Sequence, residues 1–299
     1  MRYKFKINIY SITNIIEKTI KKYNIKIIFF SYLLIYIFIY LYFIEKKKIN
    51  IKIYRNIYKE YKYYKFMNKI KRMKKVVYTV NLGKYDKLKS FNRQKGWDYF
   101  AFVNSFISDY NNTNWTLIPI SDKLNSLNVS NIKKTRYLKL FPHLFFKKYM
   151  LSIYIDATYK IIGDLNEFIL RILDNKHSII SLEHPKSSTI HDEIHNVIFS
   201  KKEKKSMAFK VKEKYIKENF PDNLGLTENN MIIRKHNKKE CIELMKIWWK
   251  EIKSYSHRDQ LSFNYARWKT GIRIKIIPKN FALNYFTQSF HLKYFIVKD

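Results

Sequence analysis

SIYIDATYKIIGDL, residues 152–165, opens with a short apolar run, Ser152 to Ile155, that stops on the carboxylate of Asp156. In an open α/β sheet the ligand crevice lies beyond the carboxyl ends of the strands, so an acid placed there faces substrate. Upstream, Val76 to Val80 forms a β-branched strand that turns at Asn81-Leu82-Gly83, and Tyr99 to Val103 a second that stops at Asn104-Ser105. Between them and the opening stretch, residues 131–148 read as helical with an interruption near Pro142. Downstream, Ile179 to Leu182 is a strand ahead of Glu183-His184-Pro185, and 231–233 and 272–277 are two more. Helices are expected over 207–220 and 239–253, the latter with Ile242, Met245, Trp249 and Ile252 on one face. Short apolar strands alternating with helices predict an α/β fold with a mixed, mainly parallel sheet flanked by helices.

Composition removes several alternatives. With 5 Gly and 5 Pro in 299 residues, collagen-like and linker architectures are excluded, and no Gly-rich phosphate loop of either common pattern occurs. Cys241 is the single cysteine, so an internal disulfide and a cysteine-based zinc site are both ruled out. The histidines show no H-E-x-x-H spacing, and no G-x-S-x-G elbow is present. Lys and Arg number 59 against 24 Asp and Glu, a net charge of 59 − 24 = +35. Such a balance suits a nucleic acid or an anionic membrane. However, the lysines are spread along a chain flooded with Ile, Asn, Tyr and Phe, as an AT-rich genome favours. Charge alone does not assign a function, and nucleic acid is the less favoured partner.

Residues 27–44, IIFFSYLLIYIFIYLYFI, carry no charge, Pro or Gly and are followed by no small-residue cleavage site. At about 1.5 Å per residue they reach across a bilayer core of roughly 30 Å. The expected organisation is a basic N-terminal tail (1–26), a single transmembrane anchor (27–44), a basic stem (45–75), one large α/β domain (76–280) and a C-terminal tail (281–299). Lysines flank the anchor about equally, so only its position ahead of one large domain points to a type II, single-pass protein. The membrane would be that of the Golgi or ER in a eukaryote, or the inner membrane in a bacterium.

Three segments concentrate polar chemistry. Asp156 could bind a hard divalent cation or cap a turn. His257-Arg258-Asp259-Gln260 precedes an aromatic stretch, and Thr227-Glu228-Asn229-Asn230 precedes a strand. Asp259 or Glu228 could serve as a base, and Arg258 could pair with phosphate. For each, an N-cap or surface ion pair is the plainer alternative.

The ordered series VVYTVNLGKYDKL (76–88), WDYFAFVNS (97–105), KKTRYLKLFPHLFF (133–146), SIYIDATYKIIGDL (152–165), SLEHPKSSTIHDEI (181–194), GLTENNMIIRKHN (225–237) and SHRDQLSF (256–263) resembles one family. It is the glycosyltransferase-like family, once a domain of unknown function, of bacterial surface-polysaccharide clusters and plant mucilage-related Golgi proteins. The resemblance covers about 75–280. It implies a GT-A-type fold and a hexosyltransferase moving a sugar from a nucleotide-sugar donor to a glycan or lipid-linked acceptor. It also implies site residues. Asp156 is the counterpart of a D-x-D metal motif, and with Arg136 and Arg258 it would bind the donor. Asp259 is the first candidate base and Glu228 the second. His184, Asn229 and Gln260 would contact the acceptor or the sugar. Mn²⁺ or Mg²⁺ is the implied cofactor, although Thr158 stands where D-x-D has its second carboxylate. The rival readings are a membrane-anchored basic protein that binds nucleic acid or anionic lipid, and a transferase fold without turnover.

Overall fold

A computed structural model describes residues 51–83, 86–104, 113–120, 124, 128–184, 189–221 and 224–289, together with positions 35, 36 and 39. The expected anchor at 27–44 lies outside the described residues apart from those three positions, which are helical. Among the described residues no helix is long and apolar enough to cross a membrane. The chain divides into two compact units, 1–66 and 67–299. Helix α1 (Ile51–Arg72) accounts for most of what is described of the first and exposes Tyr58, Tyr61 and Tyr63.

The second unit is built on a seven-stranded sheet. Its strands are β1 (Lys75–Asn81), β2 (Trp97–Val103), β3 (Thr116–Pro119), β4 (Leu151–Ile155), β6 (Ile179–Glu183), β7 (Thr227–Arg234) and β8 (Lys275–Ile277), in the order β3-β2-β1-β4-β7-β6-β8. β7 runs antiparallel to β4 and β6, and every other pairing is parallel. The expected mixed, mainly parallel sheet is therefore present. All residues of β1 and β4 are buried, as strands covered on both faces require. β5 (Tyr159–Ile161) and β9 (Phe286–Gln288) form a separate antiparallel pair. Gly163 lies against it, and a Cβ there would sit 2.8 Å from the Tyr285 backbone.

The helices of this unit follow from local signals. α2 (Asn131–Leu140) starts on Ser130 and stops before Pro142, which opens the short α3 (Pro142–Phe145). Asp164 caps α4 (Leu165–Ile172), accepting from the amides of Asn166 and Glu167 at 2.7 and 3.2 Å. Thr189 caps α5 (Ile190–Phe199). α6 (Lys205–Lys217), α7 (Lys239–Ser254), α8 (Gln260–Thr270) and α9 (Lys279–Leu283) complete the set. On α7 the buried line is Cys241, Leu244, Met245, Trp248 and Ile252, with Ile242 and Trp249 on its flanks. Trp248 is fully buried with Val76, Tyr78, Leu138 and Phe263 in the principal core. A second cluster joins α5, α6 and α8 through Ile194, Val211, Tyr215 and Leu261.

Chain order places the cleft. β2 and β3 step outward on one side of β1, and β4 then returns to its other side, making a switch point beyond the ends of β1 and β4. β6 and β8 end at that same edge, and antiparallel β7 begins there.

Candidate active site

Asp156 follows the last residue of β4 and is anchored at both ends. Its amide donates to the Asn230 carbonyl at 2.8 Å, and its carboxylate accepts from the Tyr154 hydroxyl at 2.6 Å. Burial and then the Asp156 charge push the Tyr154 phenol well above its usual range, so it remains a donor. Two groups of side chains meet at this aspartate.

The first is a buried cation cluster. Arg136 and Lys139 sit one turn apart on α2 and so share a face. Lys139 Nζ is 2.5 Å from Asp259 Oδ2 and the Arg136 guanidinium 3.6 Å from the same oxygen. Arg136 Nε also donates to the His257 carbonyl at 3.4 Å. Burial alone would raise the Asp259 carboxyl; the Arg136 and Lys139 charges outweigh it and hold the group well below the carboxylate range. Burial lowers the Lys139 ammonium, partly offset by Asp259 and then Asp156, and Nζ lies 4.9 Å over the Tyr154 ring. The backbone behind this lysine is clamped. Its carbonyl accepts from the Tyr78 hydroxyl at 2.5 Å and from the Arg234 guanidinium at 2.8 Å, and Arg234 also bonds Tyr78.

The second group is set on β7. Glu228 accepts from Asn230 Nδ2 at 2.6 Å and pairs with Lys279 at 2.8 Å. Asn230 ties this group to the first, since its carbonyl accepts from the Asp156 amide, and the Tyr159 phenol is raised by burial and then by the charges of Glu228 and Asp156. Alternation along the strand separates Glu228 from Asn229. Asn229 is buried on the other face, accepting from Ser181 Oγ at 3.3 Å and Thr227 Oγ1 at 3.0 Å. Asn230 is thus the amide beside Glu228.

Of the residues singled out in the sequence, Arg136, Asp156 and Asp259 come together, with Glu228 linked to Asp156 through Asn230, which bonds both. Arg258 adds its positive charge to the field on Asp259. Gln260 opens α8. His184 follows the end of β6 at the same sheet edge, its Nε2 3.9 Å from Glu193 on α5. Lys139, Tyr154, Asn230 and Lys279 were not singled out.

Among the described residues no three His, Cys, Asp or Glu side chains gather to hold a metal. The Thr158 hydroxyl is buried without a hydrogen bond, and Asp164 is committed to its helix cap. Among the described residues, Asp156 is the carboxylate that remains to face a cation at the end of β4. That fits a magnesium-like ion held mainly by substrate phosphates and water, which needs only one or two carboxylates.

Residues 105–297 match the family described as TOD1/MUCI70, glycosyltransferase-like domain. No curated protein sequence matches the chain. Among solved structures, the apo bifunctional glycosyltransferase WbbM is similar over 69% of this chain and 39% of its own, at 14% identity and a TM-score of 0.40. Mouse xyloside xylosyltransferase 1, also apo, is similar over 67% of this chain and 84% of its own, at 9% identity and 0.42. The galactosyltransferase LgtC, in complex with donor and acceptor sugar analogs, is similar over 67% and 72%, at 9% and 0.39.

Proposed function

Because the chain belongs to the TOD1/MUCI70 glycosyltransferase-like family, we propose that its cleft transfers a hexose from a nucleoside-diphosphate donor to a glycan or lipid-linked hydroxyl. The observation that carries this reading is the Arg136–Lys139–Asp259 cluster set against Asp156 at the switch point of the sheet. Transfer breaks the bond between the sugar C1 and the diphosphate oxygen and forms one from C1 to the acceptor oxygen, while the acceptor proton must find a base. Negative charge grows on the leaving diphosphate, and fixed cations aimed at it are most effective in a site that excludes water.

In this reading Arg136 and Arg258 face the diphosphate. Lys139 holds Asp259, which in turn keeps the guanidinium of Arg136 in place. A carboxylate held so far below its usual range takes up a proton poorly. The base role therefore falls to Glu228, whose carboxylate Asn230 and Lys279 orient, and Asp259 becomes the organiser of the cations. Asp156 faces the donor, and a divalent ion arriving with the diphosphate would meet it and add charge neutralisation. His184 and Gln260, at the same edge, line the acceptor side. We propose in addition that residues 27–44 anchor the chain in a membrane in type II orientation. Resistance of the full chain to alkaline extraction is expected, and in sealed vesicles with the cytoplasmic face outward a protease should remove the N-terminal tail and spare the domain at 76–280.

The detergent-solubilised full chain tests the donor site by thermal shift against a panel of nucleoside diphosphates and nucleotide sugars, with and without Mn²⁺. A ligand bound only by the native state adds roughly 2.7 kcal/mol at a hundredfold excess over Kd. One nucleotide is expected to stabilise selectively, and Asp156→Ala or Arg136→Ala to remove the shift. A response to every polyanion alike, unaffected by those substitutions, would overturn the assignment.

A further inference from the structure

α5 and α6 form a helical pair joined by a turn, 200–204, that is exposed except at Glu203. Phe199, the last residue of α5, is 91% exposed. α6 packs inward through Ala208, Val211 and Tyr215. A flank of the helix beside that buried face carries Lys205, Phe209, Lys212 and Ile216 at spacings of four, three and four, a single line along the helix. Phe209 and Ile216 are exposed on that line. Residues 201–217 hold eight lysines and two glutamates. Glu203 is turned inward, accepting from Ser256 Oγ at 2.5 Å and lying 3.2 Å from His257 Nδ1. The outer surface therefore combines large apolar side chains with nearly unopposed positive charge.

We propose that this tip docks on an anionic lipid surface. Phe199, Phe209 and Ile216 enter the interface, and the lysines of the turn and Lys212 lay their stems along it while their ammonium groups reach the headgroups. Charge decides between occupants. A second copy would bring the same lysines face to face. A nucleic acid would satisfy the charge, but it is gripped by a groove of stacking rings, whereas here Phe199 and Phe209 protrude from different elements and the aliphatic Ile216 shares the line of Phe209. A lipid surface satisfies both the charge and the protruding apolar groups. The turn is also linked to the cleft, since Glu203 holds Ser256 and His257 and the His257 carbonyl accepts from Arg136. Docking would hold the cleft close to a lipid-linked acceptor, a consequence that rests on the glycosyl-transfer reading. The docking itself does not.

A site-specific probe separates this contact from any anchor elsewhere in the chain. Cys241 is buried and its thiol is pushed up to about 12 by that burial, so Phe199→Cys introduces the one readily labelled thiol. The full chain carrying a nitroxide at 199 is reconstituted in vesicles of neutral phosphatidylcholine or of phosphatidylcholine with phosphatidylserine. Accessibility to oxygen and to a water-soluble nickel chelate is then measured, with a label at Arg171→Cys on α4 as the aqueous reference. With phosphatidylserine the label at 199 is expected to gain oxygen and lose nickel access, while the label at 171 stays aqueous. Neutralising Lys201, Lys202, Lys204 and Lys205 to Gln should reverse this, each lysine changing the docked-to-free ratio by about fivefold. Ile216→Cys gives an independent second position. Equal nickel access at 199 and 216 in both vesicle types would overturn the proposal. So would immobilisation of the label by an oligonucleotide without any response to anionic vesicles.

Discussion

Lys139 is the residue on which the site turns, because its ammonium is buried and its partner is a buried carboxylate. Removing one member of such a pair leaves the other charge unmatched, at a cost of roughly 3–5 kcal/mol. Lys139→Met is expected to lower unfolding stability in urea by about that amount, with Arg136 limiting the loss, and Asp259→Asn in the same chain to return part of it. A double-mutant cycle reads the coupling. The pH dependence has a definite sign. Folding holds the Asp259 carboxyl below its unfolded value of about 3.9, so its stabilisation is complete above that pH and fades as pH falls through the folded value. Asp259→Asn should flatten the acid limb of the stability profile below about pH 4, which an acid titration followed by circular dichroism would reveal. Much at this scale was legible in the sequence: a strand ending on Asp156 announces its position, and Arg136 and Asp259 stand in recognisable segments. Lys139 was not, since a lysine on a helix in a lysine-rich chain reads as a solvated face, and burial is decided by what packs above it. Asn229 shows the converse: adjacency to Glu228 in sequence puts it on the opposite side of β7.

The elements divide in a similar way. β1, β4 and the break before Pro142 come directly from β-branched runs and from proline chemistry. β7 begins earlier than its apolar core, at Thr227, because Glu228 and Asn230 face the cleft and only the alternate positions are buried. The start of α8 carries no side-chain cap, because Asp259 at its N-cap position spends its carboxylate on Lys139, and His257-Arg258-Asp259-Gln260 shows only as a polar segment in the sequence. β3, β5 and β9 are too short for periodicity to reveal. Two substitutions test these elements. Asp164→Ala removes the cap of α4 and is expected to cost about 1 kcal/mol in thermal or chemical unfolding. Gly163→Ala forces a methyl group into the Tyr285 backbone and should cost about 1–3 kcal/mol. It should also loosen the β5–β9 pair, seen as faster amide exchange at Ile161 and Phe286.

For the whole molecule, a net charge of +35 means that folding gathers like charges together. Screening shortens their reach, from about 30 Å at 0.01 M salt to about 8 Å at 0.15 M. The melting temperature of the full chain should therefore rise with added NaCl over this range, where ion pairs alone would make it fall. Differential scanning fluorimetry distinguishes the two signs. The α/β alternation was readable along the sequence. The strand order was not, because which side of β1 receives β4 depends on how the helices cover both faces, and no local pattern records that.

The single reversed strand has a consequence for how the chain is made. β4 is complete at residue 155, but the neighbour that closes its free side, β7, begins only at residue 227. A ribosome releasing this protein thus exposes a strand destined for full burial, with unpaired amides and carbonyls, until more than seventy further residues have emerged. Such an edge invites pairing with other nascent chains. Truncations ending between these two strands should partition into insoluble material or onto chaperones during translation, and soluble yield should return only once Arg234 has left the exit tunnel.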